Sequence, residues 1–345
     1  MITIKDIVKH LEQVAPPQYQ ESYDNAGLLV GDASQECTGV LTCLDSTEAV
    51  IEEAIQTNCN LVVAHHPIVF KGLKRFTGRT YVERVIMLAI RHNIAIYAIH
   101  TNLDNVYAQG VNAKIAERLG LVNTRILAPK ANLCRATVLV PTAIVEELKL
   151  KLEDTVRSAQ MPGNSIQQSS LGVRKEGEAT IRLELVYPKA QAGAVQRLLS
   201  QYPQAGVLYS PLDNANHLTG SGMVGDLPKA LTEKEFLAQL KERMGVSCIK
   251  YTALQRRKVK TVALCGGAGG FLLAKAIAAK AQFFVTADYK YHEFFDADNK
   301  IVIADIGHYE SEQFTIELLA DIIREKFGNF AVRLTKVNTN PVNYW

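Results

Sequence analysis

The sequence predicts an α/β protein. Its main domain is discontinuous, with a mostly parallel sheet built from both ends of the chain, and a smaller α+β module is inserted between them. Three observations predict this. Short, nearly all-apolar runs alternate with helical patterns at both ends, as strands buried on both faces of a parallel sheet do. The middle instead pairs an alternating, strand-like pattern with helices twice over. The length, 345 residues, gives a prior of about two domains at roughly 150 residues each.

Taken in order, Thr3 caps a helix starting near Ile4, where Ile4, Ile7, Val8 and Leu11 recur at helical spacing until Pro16-Pro17. Gly27 to Gly31 reads as a short strand between glycines. Gly39 to Leu44 is a second apolar run ending at Asp45, and Glu48 to Gln56 is helical. Leu61 to Ala64 runs into His65-His66-Pro67. After a helix from Val82 to Arg91, Ile94 to Ile99 runs into His100-Thr101-Asn102-Leu103-Asp104. In the middle, Arg135–Val140 and Ala179–Val186 read as strands, and Thr142–Asp154 and Gln191–Gln201 as helices. A polar stretch, Ser158–Glu178, lies between. This order suits a ferredoxin-like module at 130–213, dividing the chain into 1–129, 130–213 and 214–345. The first pattern then returns. Val262–Cys265 ends in Gly266-Gly267, a helix spans Phe271–Ala281, and Phe283–Val285 ends in Thr286-Ala287-Asp288. Ile301–Ala304 ends in Asp305-Ile306-Gly307-His308, and an amphipathic helix runs from about Ser311 to Phe327.

Composition removes several classes. Hydrophobic residues are 48% and charged residues 21%, which excludes long disorder, a collagen-like fibre and a coiled coil. The charge is +3, from 38 basic and 35 acidic residues, so there is no nucleic-acid signature. Six cysteines form no CxxC pair and mostly sit in apolar runs, which fits a reducing compartment. Met1 to Asp6 carries charge where a signal peptide needs an apolar core. No uncharged apolar run approaches the ~20 residues of a membrane span. A cytoplasmic protein is expected.

The chemistry concentrates at strand ends. In open parallel sheets ligands bind beyond the carboxyl ends of the strands, so His65, His66, His100, Asp104, His308 and Glu312 are expected at one rim. One zinc takes about three or four protein ligands. Five, namely His65, His66, Asp104, His308 and Glu312, suit two metals about 3.5–4 Å apart under a bridging carboxylate. Neighbouring strand residues point to opposite sides, so His65 and His66 share a site only if the chain turns at the strand end; Pro67 keeps His66 extended. His308 and Glu312, four apart at a helix start, share a face. The alternative, ordinary packed or capping histidines, fits any one of these strand ends better than it fits all three together.

These residues lie in segments that resemble a known family. The segments are Tyr23–Gly31, Ala64–Pro67, His100–Asp104, Gly220–Leu227, Cys265–Gly269, Thr286–His292 and Gly307–Glu312. In that order, over nearly the whole chain, they are similar to the Nif-three-like dinuclear metal centre proteins, also called GTP cyclohydrolase 1 type 2 homologues. The resemblance implies metal ligation by His65, His66, Asp104, His308 and Glu312, and two divalent ions per subunit (Zn, Mn, Fe, Co or Ni). It also implies a toroidal homohexamer, a trimer of dimers, with the sites facing an internal cavity. The insertion resembles the PII-like or CutA-like domain of the longer members. Ala268 and Gly270 stand where serines are common in the family. The activity implied is metal-dependent hydrolysis, with hydroxide between the metals attacking a nucleotide or phosphoester. By the family's name, the substrate is GTP and the attack falls at guanine C8. His100, His292 and Glu310 are the candidates for moving protons. A regulatory protein that partners transcription regulators is the competing expectation, and metal handling a third.

Other features carry two readings each. The run Gly266-Gly267-Ala268-Gly269-Gly270 is either a phosphate cradle of backbone N–H groups, using Gly266, Gly267 and Gly269, or a tight turn for close packing. His292 is a pocket acid/base or a surface residue. Asp45 either holds an imidazole N–H or caps a helix. His10 and His92 read as surface residues, His217 as a loop residue, and Gln255–Lys260 as a solvated approach to a strand.

Overall fold

The computed structural model describes residues 1–157, 166–168 and 180–345. Apart from 166–168, the polar stretch Ser158–Glu178 lies outside the described residues. The chain forms two compact units, one of Met1–Ala128 with Gly220–Trp345 and one of Pro129–Thr219.

The first unit opens with α1 (Ile4–Val14), whose N-terminus is closed by a reciprocal Thr3–Asp6 capping box. There follow β1 (Gly27–Val30), β2 (Val40–Cys43), α2 (Glu48–Gln56), β3 (Leu61–Ala64), α3 (Tyr81–Arg91), β4 (Ala95–Ala98), α4 (Thr101–Asp104), α5 (Val111–Leu119) and β5 (Val122–Lys130). The second unit holds β6 (Leu133–Pro141), α6 (Val145–Arg157), β7 (Ile166–Gln168), β8 (Thr180–Pro188), α7 (Ala192–Leu199) and β9 (Gly206–Leu212). The chain returns through β10 (Asn216–Thr232), α8 (Glu233–Met244), β11 (Lys250–Tyr251), β12 (Lys258–Ala268), α9 (Leu273–Ala278), β13 (Phe283–Ala287), β14 (Val302–Asp305), α10 (His308–Glu312), α11 (Thr315–Lys326) and β15 (Val332–Leu334).

The strands expected in one sheet divide between two. One sheet has the order β1-β4-β3-β2-β15 and the other β11-β14-β13-β12-β10-β5. In the first, β15, β2, β3 and β4 are parallel and β1 adds an antiparallel edge. In the second, β12, β13 and β14 are parallel, flanked by antiparallel β10 and β11. The parallel strands β2, β3, β4, β13 and β14 are buried along their whole length, which is why their sequences do not alternate. Leu41, Val62 and Ile96 of the first sheet pack on Val50 and Ile51 of α2 and Val85 and Ile86 of α3. Ala263, Phe284 and Ile303 of the second pack on Leu273 and Ala276 of α9.

The second unit has one antiparallel sheet, in the order β7-β8-β6-β9. Its core sets Ala136, Val138, Leu183 and Leu185 against Leu148, Leu152 and Val195 of the two helices. Among the described residues no helix is long and apolar enough to cross a membrane.

Candidate metal centre

Parallel register brings the first candidate residues together. Ala64 of β3 lies opposite Ala98 of β4, so His65-His66 and His100 leave the sheet at the same edge. Backbone pairing persists two residues past β3: the His65 and His66 N–H groups donate to Cys43 O at 3.1 Å and Leu44 O at 2.9 Å. The two rings nevertheless lie 4.9 Å apart, tilted by 47°. The other candidates come from the second sheet. After β14 the chain passes Gly307, at φ +93°, a conformation that favours glycine. It then enters α10, which sets His308 and Glu312 on one face at i, i+4. The site therefore lies between the carboxyl edges of two sheets, not on the rim of one.

The side chains converge on Glu312. Its Oε2 is 3.0 Å from His66 Nε2, 3.1 Å from His308 Nε2 and 3.8 Å from His65 Nε2. His65 Nε2 is also 3.6 Å from Asp104 Oδ1, and His308 Nε2 is 3.4 Å from His66 Nε2. His65 Nε2 and Asp104 Oδ1 are buried without a hydrogen-bond partner. His65 Nδ1 donates to the Ile99 carbonyl at 2.9 Å, which leaves a bare Nε2 lone pair on the neutral ring. Two buried acceptors facing each other cost free energy unless a proton or a metal cation lies between them. The donor set of imidazole nitrogens and carboxylates suits a divalent transition metal, and His65, His66 and Glu312 have ligand atoms within 4.8 Å of one another.

The electrostatics agree. Burial holds the His65 imidazole below its usual value and so neutral. Burial also opposes charge on His66, but hydrogen bonds to Asp45 and Glu312 outweigh it and push the imidazole up to about 10. His308 is likewise desolvated yet raised to about 9 by Glu312 and Asp288. Burial disfavours an ionised Glu312, but contacts from His308, His65 and His66 hold its carboxyl well below the ordinary range. Burial, with Glu312 beside it, pushes Asp104 well above that range.

Each imidazole is held by a further group on its other nitrogen. Asp45 Oδ1 takes the His66 Nδ1 proton at 2.9 Å, the first of the two roles left open for it. Asp288 Oδ2 takes that of His308 at 2.6 Å, and Asp24 Oδ1 that of His100 at 2.8 Å. Asp24 also accepts from Thr101 N at 3.1 Å and from its hydroxyl. Burial works against the Asp24 charge, yet these bonds lower its carboxyl to about 2. Sequence reasoning missed Asp24 and Asp288 as site residues. Both lie in the matching family segments, and Asp288 also stands at the end of an apolar strand run.

The glycine-rich run packs rather than cradles at its first two positions. The Gly266 and Gly267 N–H groups donate to Asn112 Oδ1 at 3.0 Å and Ser311 Oγ at 2.9 Å, so neither amide is free for a phosphate. A Cβ on Gly267 would stand 2.5 Å from Glu312 Oε1. One on Gly269 would meet Thr286 Oγ1 at 2.5 Å. His292 is exposed and touches Tyr291; it is not among the residues lining the cavity. Glu310 is buried beside the centre and takes the Asn340 amide at 2.9 Å. His92 and His217 are exposed. His10 is half-buried and held by the Ile322 carbonyl, not a surface residue.

A cavity of about 1250 Å³ opens on the centre. His66, His100, Asp104, His308 and Glu312 face it, with Phe70, Tyr81, Phe271 and Tyr309 among its walls.

Comparison with known proteins agrees with this architecture. A GTP cyclohydrolase 1 type 2 homolog of Staphylococcus epidermidis is 30% identical over 368 aligned positions, covering 99% of each chain. A Bacillus cereus protein related to NIF3 superposes with a TM-score of 0.84 at 29% identity, over 100% of this chain and 99% of that one. A Staphylococcus aureus protein superposes at 0.83 and 29%, with the same coverage. The family model described as Duf34/NIF3 (NGG1p interacting factor 3) matches residues 2–341. With the two-sheet fold and the His65–His66–Glu312 cluster, these matches establish that the chain belongs to the Duf34/NIF3 family.

Proposed function

We propose that the chain is a metal-dependent hydrolase holding two divalent cations, drawn from Zn, Mn, Fe, Co or Ni. His65 and Asp104 serve one position, His66 and His308 the other, and Glu312 lies between. The observation that carries this reading is the pair of buried, unpartnered acceptors, His65 Nε2 and Asp104 Oδ1, beside the ionised Glu312. Bound cations of this kind lower the pKa of water toward about 7 and act as Lewis acids. The protein supplies the rest. Asp24 fixes the His100 ring, whose edge meets His65 and His66, so that His100 moves a proton at Nε2. Phe70, edge-on to His100 at 5.6 Å, keeps that side of the cavity apolar.

The cavity volume and the names of the relatives support a nucleotide as substrate, with GTP first and guanine C8 the carbon attacked. The reading extends to a toroidal homohexamer with the second unit as a PII-like or CutA-like module, working in the cytoplasm, where six free thiols fit.

The test is turnover of GTP and of a phosphoester panel by protein reconstituted with Mn, Fe or Zn. His65→Ala is expected to lose more than about 100-fold, beyond the effect of removing an outer partner. Silence on every substrate, with metal bound, overturns the hydrolase. A second reading, a regulatory binding protein, is favoured by the family description as an interacting factor. It requires that His65→Ala keep its assembly and its partner.

A further inference from the structure

The segment after β15 carries groups that the hydrolase reading leaves unused. It is anchored first on the first sheet and its helix α2: Thr335 N donates to Thr42 O at 3.0 Å and Lys336 N to Glu53 Oε1 at 3.0 Å. Val337 packs against the core of that sheet. Beyond this anchor the chain crosses to the metal centre. The Thr339 hydroxyl donates to Asp45 Oδ2 at 2.6 Å, while the other oxygen of Asp45 holds His66 Nδ1 at 2.9 Å. One step on, the Asn340 amide donates to Glu310 Oε1 at 2.9 Å. Asn340 Oδ1 turns the chain by accepting from Val342 N at 3.0 Å. Asn340, Pro341, Val342 and Tyr344 line the cavity.

A carboxylate that holds an imidazole has two oxygens and can rotate. Asp45 is half-buried, and its position is set only when both oxygens are occupied. His66 takes one and Thr339 the other. Resting on the metal reading of this centre, we infer that Thr339 is a positioning residue. Through Asp45 its hydroxyl sets the His66 imidazole at the angle metal binding requires, and the segment 335–344 is a built wall of the centre. Glu310 is then the anchor that holds this wall.

The experiment compares full-length wild type, Thr339→Val and Thr339→Ser by two readouts. The first is the ¹⁵N–¹H signal of His66 Nδ1 in metal-free protein. The second is titration with Co²⁺, followed by absorption. Thr339→Val is expected to shift or broaden the His66 signal and to weaken one of two Co²⁺ positions by about 10–100-fold, the range for a group that orients a ligand. Thr339→Ser, which keeps the hydroxyl, is expected to match wild type. A Thr339→Val protein with an unchanged His66 signal and an unchanged titration overturns the proposal. So does a Thr339→Ser protein as impaired as the valine variant, because the effect would then not belong to the hydroxyl. If wild type takes up no Co²⁺ while the His66 signal still responds to Thr339→Val, the metal reading fails and the orientation of His66 by this segment stands.

Discussion

At the scale of single residues, the proposed metal reading sets protons against metal on the same imidazoles. Without metal, His66 and His308 are raised to about 10 and about 9, so at neutral pH both rings carry charge that a bound cation must displace. Apparent metal affinity is therefore expected to rise with pH from about 6 to 9, with protons released on binding. Calorimetry in buffers of different ionisation enthalpy measures that release, and a pH-independent affinity overturns it. The sign for stability is opposite in the metal-free protein. A raised imidazole stabilises fully below its unfolded value near 6.5 and loses that contribution as pH climbs through about 9 to 10. Metal-free protein is thus expected to lose stability from pH 7 to pH 10, which thermal melts check. His65, His66 and Glu312 were legible in the sequence because strand ends and an i, i+4 helical step place such groups without tertiary knowledge. Asp288 carries the same strand-end signal; Thr339 was not legible, because it reaches Asp45 from a segment whose path only the packed chain defines. Nor was the commitment of the Gly266 and Gly267 amides, since Asn112 and Ser311 come from helices distant in sequence.

At the scale of elements, β12 and α10 show why the glycine run exists. Residue 267 sits at φ +62° where the end of β12 passes over α10, and its missing side chain leaves room for Glu312. Gly267→Ala is expected to displace the Glu312 carboxylate and strain the backbone, weakening metal binding by at least about tenfold while costing about 1–2 kcal/mol of stability. Metal titration beside thermal melts tests this, and wild-type binding by the alanine variant refutes it. The buried parallel strands β3, β4, β13 and β14 were legible as apolar runs between helices. Their division between two sheets was not, because a strand buried on both faces reads the same in either. The last long helix, expected from Ser311, is interrupted after Glu312 and resumes at Thr315. The short α10 before the break carries His308 and Glu312, and polar residues there gave no apolar period to follow.

For the whole molecule, each of the two units carries its own core, and His65, His66, Asp104, His308 and Glu312 all belong to the first. Leu148 of α6 is fully buried among Val138, Leu152 and Leu183. Leu148→Ala is expected to cost about 2–5 kcal/mol in the second unit, leaving Co²⁺ affinity within about twofold. Scanning calorimetry and the same titration check this; a matching loss of Co²⁺ binding would show the two units to be energetically linked. The chain route gives the centre a further property. Glu312 follows His66 by 246 positions, with the whole second unit translated in between, so a growing polypeptide on the ribosome carries the histidine pair long before the carboxylate that completes it. Domains tend to fold in the order they emerge, yet this one waits for its later half. On the metal reading, uptake of a cation is thereby deferred until Glu312 has been made, and a translation product truncated before that residue lacks the carboxylate on which the imidazoles converge.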